Sequence, residues 1–107
     1  MSKGKHDCTY CEPGSCRPTW LYVVADADGA GPVKVGISYH ATKRLATHRK
    51  KTKRDLSVHW KRQFPCEFAA ADAEDAVCDA LDAYRTRGDW FDHPVSKVIE
   101  IAEGIAR

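Results

Sequence analysis

The sequence lacks a long run of apolar residues. None of its 107 residues belongs to a stretch long enough to span a membrane, so we expect no transmembrane segment and no membrane partner. The opening residues, MSKGKHDCTY, also lack the apolar centre of a secretory signal. These two absences favour a cytoplasmic protein.

The cysteines argue against a disulfide framework. There are five of them without a secretory signal, which is typical of thiols or metal ligands. Three lie with a histidine in residues 1–18, where prolines and a glycine favour a loop. Zn²⁺ prefers four such ligands, so this segment predicts a structural zinc site formed by His6, Cys8, Cys11 and Cys16. Cys66 is an alternative to His6, and a tail with reduced thiols is the other interpretation.

Residues 19–107 predict one α+β domain. Three runs rich in aromatic and β-branched residues predict strands, at 20–25, 33–38 and 56–64. Three segments with helical spacing predict helices, at 40–51, 69–87 and 94–106. Gly88 would end the second helix and Pro94 would begin the third. The order β-β-α-β-α-α predicts a small three-stranded antiparallel sheet flanked by helices.

The net charge of +2 conceals a basic segment followed by an acidic one. Basic side chains crowd the first predicted helix and the loop after it, at Lys43, Arg44, Arg49, Lys50, Lys51, Lys53 and Arg54. A basic cluster with an aromatic residue, Trp60, nearby is typical of proteins that bind the phosphate backbone of nucleic acids. A helix that is basic only because it faces water is the alternative.

The acids of the second predicted helix fall on two faces. Four aspartates share a face that we assign to solvent: Asp72, Asp75, Asp79 and Asp82. Four other residues define the opposite, core-facing side: Ala70, Val77, Leu81 and Tyr84. Glu74 falls on this apolar side, where a carboxylate is costly unless it is paired or binds a cation. An ion pair with an arginine and a side chain that reaches out to water are the structural alternatives.

Arg44 and His48 lie four residues apart and therefore share a face of the first predicted helix. The strands at 20–25 and 33–38, joined by the Asp- and Gly-rich turn DADGAGP, predict a hairpin. Because Arg44 and His48 follow this hairpin directly, we expect sheet packing to bring them opposite Glu74. Together with Tyr22 they would form a set able to cut a phosphodiester bond. An ordinary strand aromatic at Tyr22 and a solvent-facing His48 are the alternative interpretations.

The order and spacing of these residues resemble the GIY-YIG nuclease superfamily over about residues 20–92. Trp20-Leu21-Tyr22 stands at the first motif, and Lys34-Val35-Gly36 stands at the second. Glu74 with Cys78, followed by Gly88-Asp89-Trp90-Phe91, is similar to the E-x-x-x-H and G-E-W-F ending of a compact, phage-associated branch.

Three positions depart from the family pattern. Lys34 stands where the second motif has tyrosine, Cys78 replaces a histidine, and Asp89 replaces a glutamate. The asparagine that some members carry near the end of the domain is not evident. We expect Trp90 and Phe91 to be core residues that close the sheet rather than site residues.

The resemblance implies a metal-dependent endonuclease that hydrolyses phosphodiester bonds in DNA. Glu74 would hold one Mg²⁺ or Mn²⁺ ion, and Arg44 would bind the phosphate. Tyr22 or His48 would act as the base or orient water, and Lys34 would be placed to bind phosphate. The partner would be the DNA backbone, read with weak sequence preference by a monomer or weak dimer.

Two other functions remain open. Lys34 in place of the motif tyrosine favours a catalytically weak or inactive nucleic-acid-binding module on the same fold. A zinc-stabilised interaction domain, whose basic helix meets an acidic protein, is the third hypothesis.

Overall fold

The computed structural model describes residues 16–52 and 55–106, without the side chains of residues 41, 42, 44, 51 and 52. The three predicted strands are present, as β1 (Thr19–Asp26), β2 (Val33–Ser38) and β3 (Leu56–Phe64). The three helices are α1 (Ala41–Thr52), α2 (Glu67–Ala80) and α3 (Val95–Ala106). No helix within the described ranges is long and apolar enough to cross a membrane.

Two further strands make the sheet larger than the sequence predicted. These are β4 (Arg85–Arg87) and β5 (Trp90–Phe91), and the five strands are ordered β3-β1-β2-β5-β4. Every neighbouring pair is antiparallel. The α+β class is therefore confirmed, and the three-stranded sheet is the centre and one side of a five-stranded one. Strands of two or three residues are too short to produce a readable alternation.

The turn between β1 and β2 follows from its glycines and aspartates. Gly29 and Gly31 have φ angles of 82° and 76°, which other residues adopt only with strain. The Asp28 side chain accepts a hydrogen bond from the backbone N–H of Ala30 at 2.9 Å. This geometry confirms the predicted hairpin.

The second helix ends earlier than predicted. It stops at Ala80, and a 3₁₀ turn (Asp82–Tyr84) leads into β4, so Gly88 lies in the turn between β4 and β5. Tyr84 was predicted to face the core, but it is exposed and stacks on His93 with ring centroids 3.9 Å apart. Here strand pairing with β5 overrides the helical propensity of the segment.

The larger core fills one side of the sheet, which we call the α2/α3 face. Alternation along β1 directs Leu21 and Val23 to this face, where they meet α2 and α3. The predicted core positions Ala70, Val77 and Leu81 are completely buried, which confirms the apolar side of α2. The four aspartates predicted to face solvent are exposed, as expected.

A smaller core fills the opposite side, which we call the α1 face. Tyr22 and Val24 alternate with Leu21 and Val23 along β1, so they point to this side and pack with Leu56 of β3. Leu45 of α1 covers this cluster, and Trp90 of β5 contributes to it. Helices α1 and α2 therefore lie on opposite sides of the sheet.

A bulge in β3 changes which of its side chains reach each face. Val23 pairs with Trp60 and Val24 pairs with Val58, so His59 is an extra residue. Val58 consequently packs on the α1 face, whereas Trp60 packs on the α2/α3 face. Beyond the bulge, Lys61 stands opposite Tyr22 in the strand register.

Candidate active site

A buried tyrosine and a buried histidine meet on the α1 face. Tyr22 is 2% exposed and His48 is 7% exposed. The phenol oxygen lies 3.2 Å from His48 Nε2, within hydrogen-bonding distance, and the phenol is the donor when that nitrogen carries no proton. A buried hydroxyl requires such a partner. This contact brings together two residues of the predicted set.

Gly36 makes room for the phenol. It stands directly opposite Tyr22 in the strand register. A Cβ atom built at Gly36 would lie 2.5 Å from the Tyr22 hydroxyl oxygen, closer than real Cβ contacts allow. The tyrosine therefore reaches across β2 because residue 36 has no side chain.

A second group of polar residues lies where β2 meets β5. Lys34 pairs with Trp90 in the register, and its ammonium lies 3.6 Å from the Asp89 carboxylate and 5.7 Å from the Trp90 ring centroid. The Lys34 side chain is only 13% exposed, so this ion pair is partly shielded from water. Trp90 thus belongs to the α1 face, whereas Phe91 is a core residue as expected.

Glu74 carries a half-buried carboxyl group on α2. Burial raises its pKa, the nearby charges of Asp89 and Asp75 raise it further, and the charge of Lys34 lowers it. Among the described side chains, Glu74 has no hydrogen-bond or ion-pair partner. Its carboxylate is therefore a desolvated negative group beside a second carboxylate, which is an arrangement that a cation would stabilise.

Cys78 lies one helical turn after Glu74 and is buried. Burial raises the pKa of its thiol to about 11, and the negative charges of Glu74 and Asp89 contribute. The thiol is consequently neutral at physiological pH and is neither a nucleophile nor an anionic ligand there.

The two polar groups approach each other at β2. Lys34 and Gly36 are two residues apart on the same face, about 7 Å along the strand. Gly36 faces Tyr22, while the charge of Lys34 acts on Glu74. Helix α2 packs on the opposite side of the sheet from His48. The charge of Lys34, which lies on the α1 face, links the Glu74 carboxyl to this end of β2.

The predicted basic residues are only partly described. Lys43 and Lys50 are exposed on α1, and the Arg49 guanidinium donates a hydrogen bond to the Leu56 carbonyl at 2.7 Å. The side chains of Arg44 and Lys51 lie outside the description, as do Lys53 and Arg54 entirely. Arg49 therefore joins α1 to β3 besides adding positive charge.

The predicted zinc site lies mostly outside the described residues, since His6, Cys8 and Cys11 precede residue 16. Cys16 is partly exposed, and Cys66 is buried just before α2. Within residues 16–52 and 55–106, no three histidine, cysteine, aspartate or glutamate side chains are grouped so as to hold a metal ion. The zinc site stays a prediction.

Sequence reasoning missed three residues near the site. Asp89 was read only as a motif position, although it pairs with Lys34. Trp20 and Lys61 were not considered together, yet the Lys61 ammonium lies 4.7 Å from the centre of the Trp20 ring. The charge of Asp89 itself, between Gly88 and Trp90, was a sequence signal that could have identified it. The contact between Trp20 and Lys61 depends on the β3 bulge, which leaves no sequence signal.

The fold and the polar groups at β2 define a small α+β domain with a charged, partly buried site. Residues 19–106 match the T5orf172 domain, and the chain belongs to this phage-related, nuclease-associated family. No curated protein and no solved structure matches the chain significantly. Membership in the family supports a DNA-related function.

Proposed function

We propose that this chain is a metal-dependent endonuclease domain of the GIY-YIG type that hydrolyses phosphodiester bonds in DNA. The observation that carries the proposal is the buried contact between Tyr22 and His48 across Gly36. The nuclease-associated family and the motif order of the sequence support it.

Tyr22 and His48 would handle the proton of the attacking water. Their contact at 3.2 Å allows a proton to pass between the phenol oxygen and Nε2. His48 accepts a proton at this nitrogen, and the phenol oxygen orients the water or takes its proton in turn. Because both side chains are buried, their geometry is held before substrate binds.

Glu74 would hold the divalent cation. Its carboxylate fits a hard cation because it is half-buried, lacks a partner among the described side chains and lies near the negative charge of Asp89. When bound, Mg²⁺ or Mn²⁺ would neutralise charge on the scissile phosphate and its leaving oxygen. Lys34 partly offsets the negative charge of this region before any ion is present.

Arg44 and the basic side chains of α1 would hold the DNA. A guanidinium offers forked donors to a phosphate, which is the role proposed for Arg44. Lys43 and Lys50 are exposed on the same helix and would contact flanking phosphates.

A plasmid-nicking assay with Mg²⁺ or Mn²⁺ tests the proposal. The parent protein should nick the plasmid, and Glu74→Gln and Arg44→Ala should each lower the rate by about a hundredfold or more. Asp72→Asn is the matched control, because Asp72 is an exposed acid of the same helix. Absence of cleavage with either metal, or equal cleavage by the parent and all variants, would remove the proposal.

A second candidate function is DNA binding without cleavage. The ion pair between Lys34 and Asp89 favours it, because it places a positive side chain where the resemblance expects a tyrosine. This module would bind DNA with strong salt dependence, and binding would survive Glu74→Gln. Affinity that does not change with salt would count against it.

A further inference from the structure

Trp20 and Lys61 form a contact on the α1 face that the proposed chemistry does not use. The Lys61 ammonium lies 4.7 Å from the centroid of the Trp20 ring. Lys61 is exposed and Trp20 is partly exposed, so the contact borders solvent. Trp20 also packs against the cluster that contains Tyr22, which fixes one side of its ring.

The position of this contact relates it to the candidate active site. Trp20 precedes Tyr22 by two residues on the same strand and the same face, about 7 Å away. Lys61 stands directly opposite Tyr22 in the register of β1 and β3. A nucleotide bound at Trp20 would therefore lie next to Lys61 and one strand repeat from the Tyr22–His48 pair.

The Lys61–Trp20 contact is easily replaced. An exposed cation–π contact favours association by only about twofold to fivefold. Stacking of a nucleobase on an aromatic side chain favours it by about fivefold to a hundredfold or more. A base would thus displace the Lys61 ammonium from the ring. The displaced ammonium, on a flexible four-carbon chain, can then reach an adjoining phosphate.

The chemistry of the two side chains selects one kind of substrate. Bases inside a duplex have both faces covered by their neighbours, so they can stack on a protein ring only when they leave the stack. An unpaired nucleotide offers its face to Trp20 and its phosphate to Lys61 at no such cost.

We propose that Trp20 is a stacking platform for an unpaired base, with Lys61 binding the adjoining phosphate. The substrate class is accordingly DNA with single-stranded nucleotides beside the bond to be cut. The assignment of the scissile phosphate to the Tyr22 side rests on the proposed function, whereas the preference for unpaired nucleotides is measured by binding alone.

The test compares binding of a labelled oligothymidylate with binding of a blunt-ended duplex of equal length, without added divalent cation. The full chain should bind the single strand more tightly. Trp20→Ala should weaken single-strand binding by about tenfold and duplex binding by less than about twofold. Trp20→Phe should restore part of the loss, because phenylalanine still stacks. Lys61→Ala should reduce the dependence of single-strand affinity on salt by about one phosphate contact.

The matched control is Trp60→Phe, because Trp60 packs on the opposite face of the sheet. Quenching of tryptophan fluorescence by the oligothymidylate should be lost in Trp20→Phe and kept in Trp60→Phe. Equal weakening on both DNA forms by Trp20→Ala, or unchanged quenching in Trp20→Phe, would overturn the inference. Trp20→Phe keeps the inference testable if Trp20→Ala fails to fold.

The outcomes separate this inference from the proposed function. If Trp20→Ala selectively loses single-strand binding and the parent cuts no DNA, the stacking platform is supported and the nuclease proposal is ruled out. If nicking depends on metal and is unaffected by Trp20→Phe, and the protein binds single strands no more tightly than duplex, the nuclease proposal is supported and the stacking platform is ruled out.

Discussion

The two faces of the sheet have different compositions and serve different purposes. The α2/α3 face buries aliphatic side chains with Phe91, and most of the buried residues there are completely covered. Among the described residues, the α1 face buries the smaller cluster of Tyr22, Val24 and Leu56, and the polar side chain of His48 is buried beside Tyr22. The first face can supply most of the apolar burial that stabilises the domain, and the second is free to carry polar chemistry.

Gly36 and Lys34 show how the α1 face differs. In an ordinary half-buried strand, both positions would carry apolar side chains packed against the covering helix. Here Gly36 has no side chain, which makes room for the Tyr22 phenol, and Lys34 is a cation paired with Asp89. Stability is therefore expected to depend on one face and activity on the other.

The largest effect is expected from Phe91→Ala. Phe91 is completely buried on the α2/α3 face, so the substitution should lower the free energy of unfolding by about 3–5 kcal/mol. Its neighbour Trp90 lies on the α1 face and is partly exposed, so Trp90→Ala should cost clearly less. Denaturant unfolding followed by circular dichroism measures both. An equal or larger loss for Trp90→Ala would contradict the division between the faces.

Gly36→Ala should have the next largest effect. The new methyl group would meet the Tyr22 hydroxyl at 2.5 Å, and overpacking of this kind costs about 1–3 kcal/mol. Tyr22→Phe removes the closest atom, so the double variant should lose less stability than the sum of the single variants.

Gly88→Ala is the control for this cycle. Gly88 has a φ angle of 56° and no atom near its missing Cβ, so alanine should cost about 1 kcal/mol through backbone strain alone. That loss should not change when Tyr22→Phe is added. Additive behaviour at Gly36, measured by the same unfolding curves, would show that the phenol does not depend on the glycine.

The elements that sequence predicted well are those with long, regular patterns. The strand at residues 56–64 and the second hairpin strand were predicted with their observed bounds, because alternation and turn chemistry agreed. The predicted end of α2 was wrong because the alanine-rich helical pattern continues to Tyr84. In the structure, pairing of Arg85–Arg87 with β5 stabilises this part of the chain more than further helix would. A gain of that kind comes from tertiary contacts, which a local pattern does not contain.

The candidate site was predictable as a set of residues but not as an arrangement. Glu74 was selected because a carboxylate stood on an apolar helix side, and it is half-buried there. The sequence predicted that sheet packing would bring His48 opposite Glu74, but it did not reveal that α1 and α2 pack on opposite faces of the sheet. The face on which a crossover helix packs depends on strand order, which residue spacing does not reveal.

Glu74→Gln should increase stability at neutral pH, by less than the loss from Gly36→Ala. Burial raises the pKa of Glu74, and Asp89 adds to this. A carboxyl whose folded-state pKa is raised favours folding below its unfolded pKa, and that contribution is lost as the pH rises through the folded pKa. Glutamine does not titrate, so its advantage should be present at pH 7 and disappear below about pH 4.

Unfolding curves at several pH values measure this difference. If Glu74 holds the cation as proposed, addition of Mg²⁺ should raise the melting temperature of the parent and leave that of Glu74→Gln unchanged. A parent that is more stable than Glu74→Gln at pH 7 without metal would show that Glu74 has a stabilising partner.

The smallest expected effect is on the reactivity of Cys78. The pKa of its thiol depends on the charge of Glu74, so the thiol can be used to detect that charge. Burial raises the pKa of its thiol to about 11, and the charge of Glu74 is the next largest cause. At pH 8, alkylation of Cys78 by iodoacetamide should be about a hundredfold slower in the folded protein than in urea.

Glu74→Gln should accelerate the folded-state reaction several-fold, because removal of a nearby negative charge favours the thiolate. Asp72→Asn, which changes an exposed acid on the same helix, should leave it unchanged. Mass spectrometry of the Cys78 peptide gives each rate, and equal acceleration by the two substitutions would mean that Glu74 does not act on the thiol through its charge.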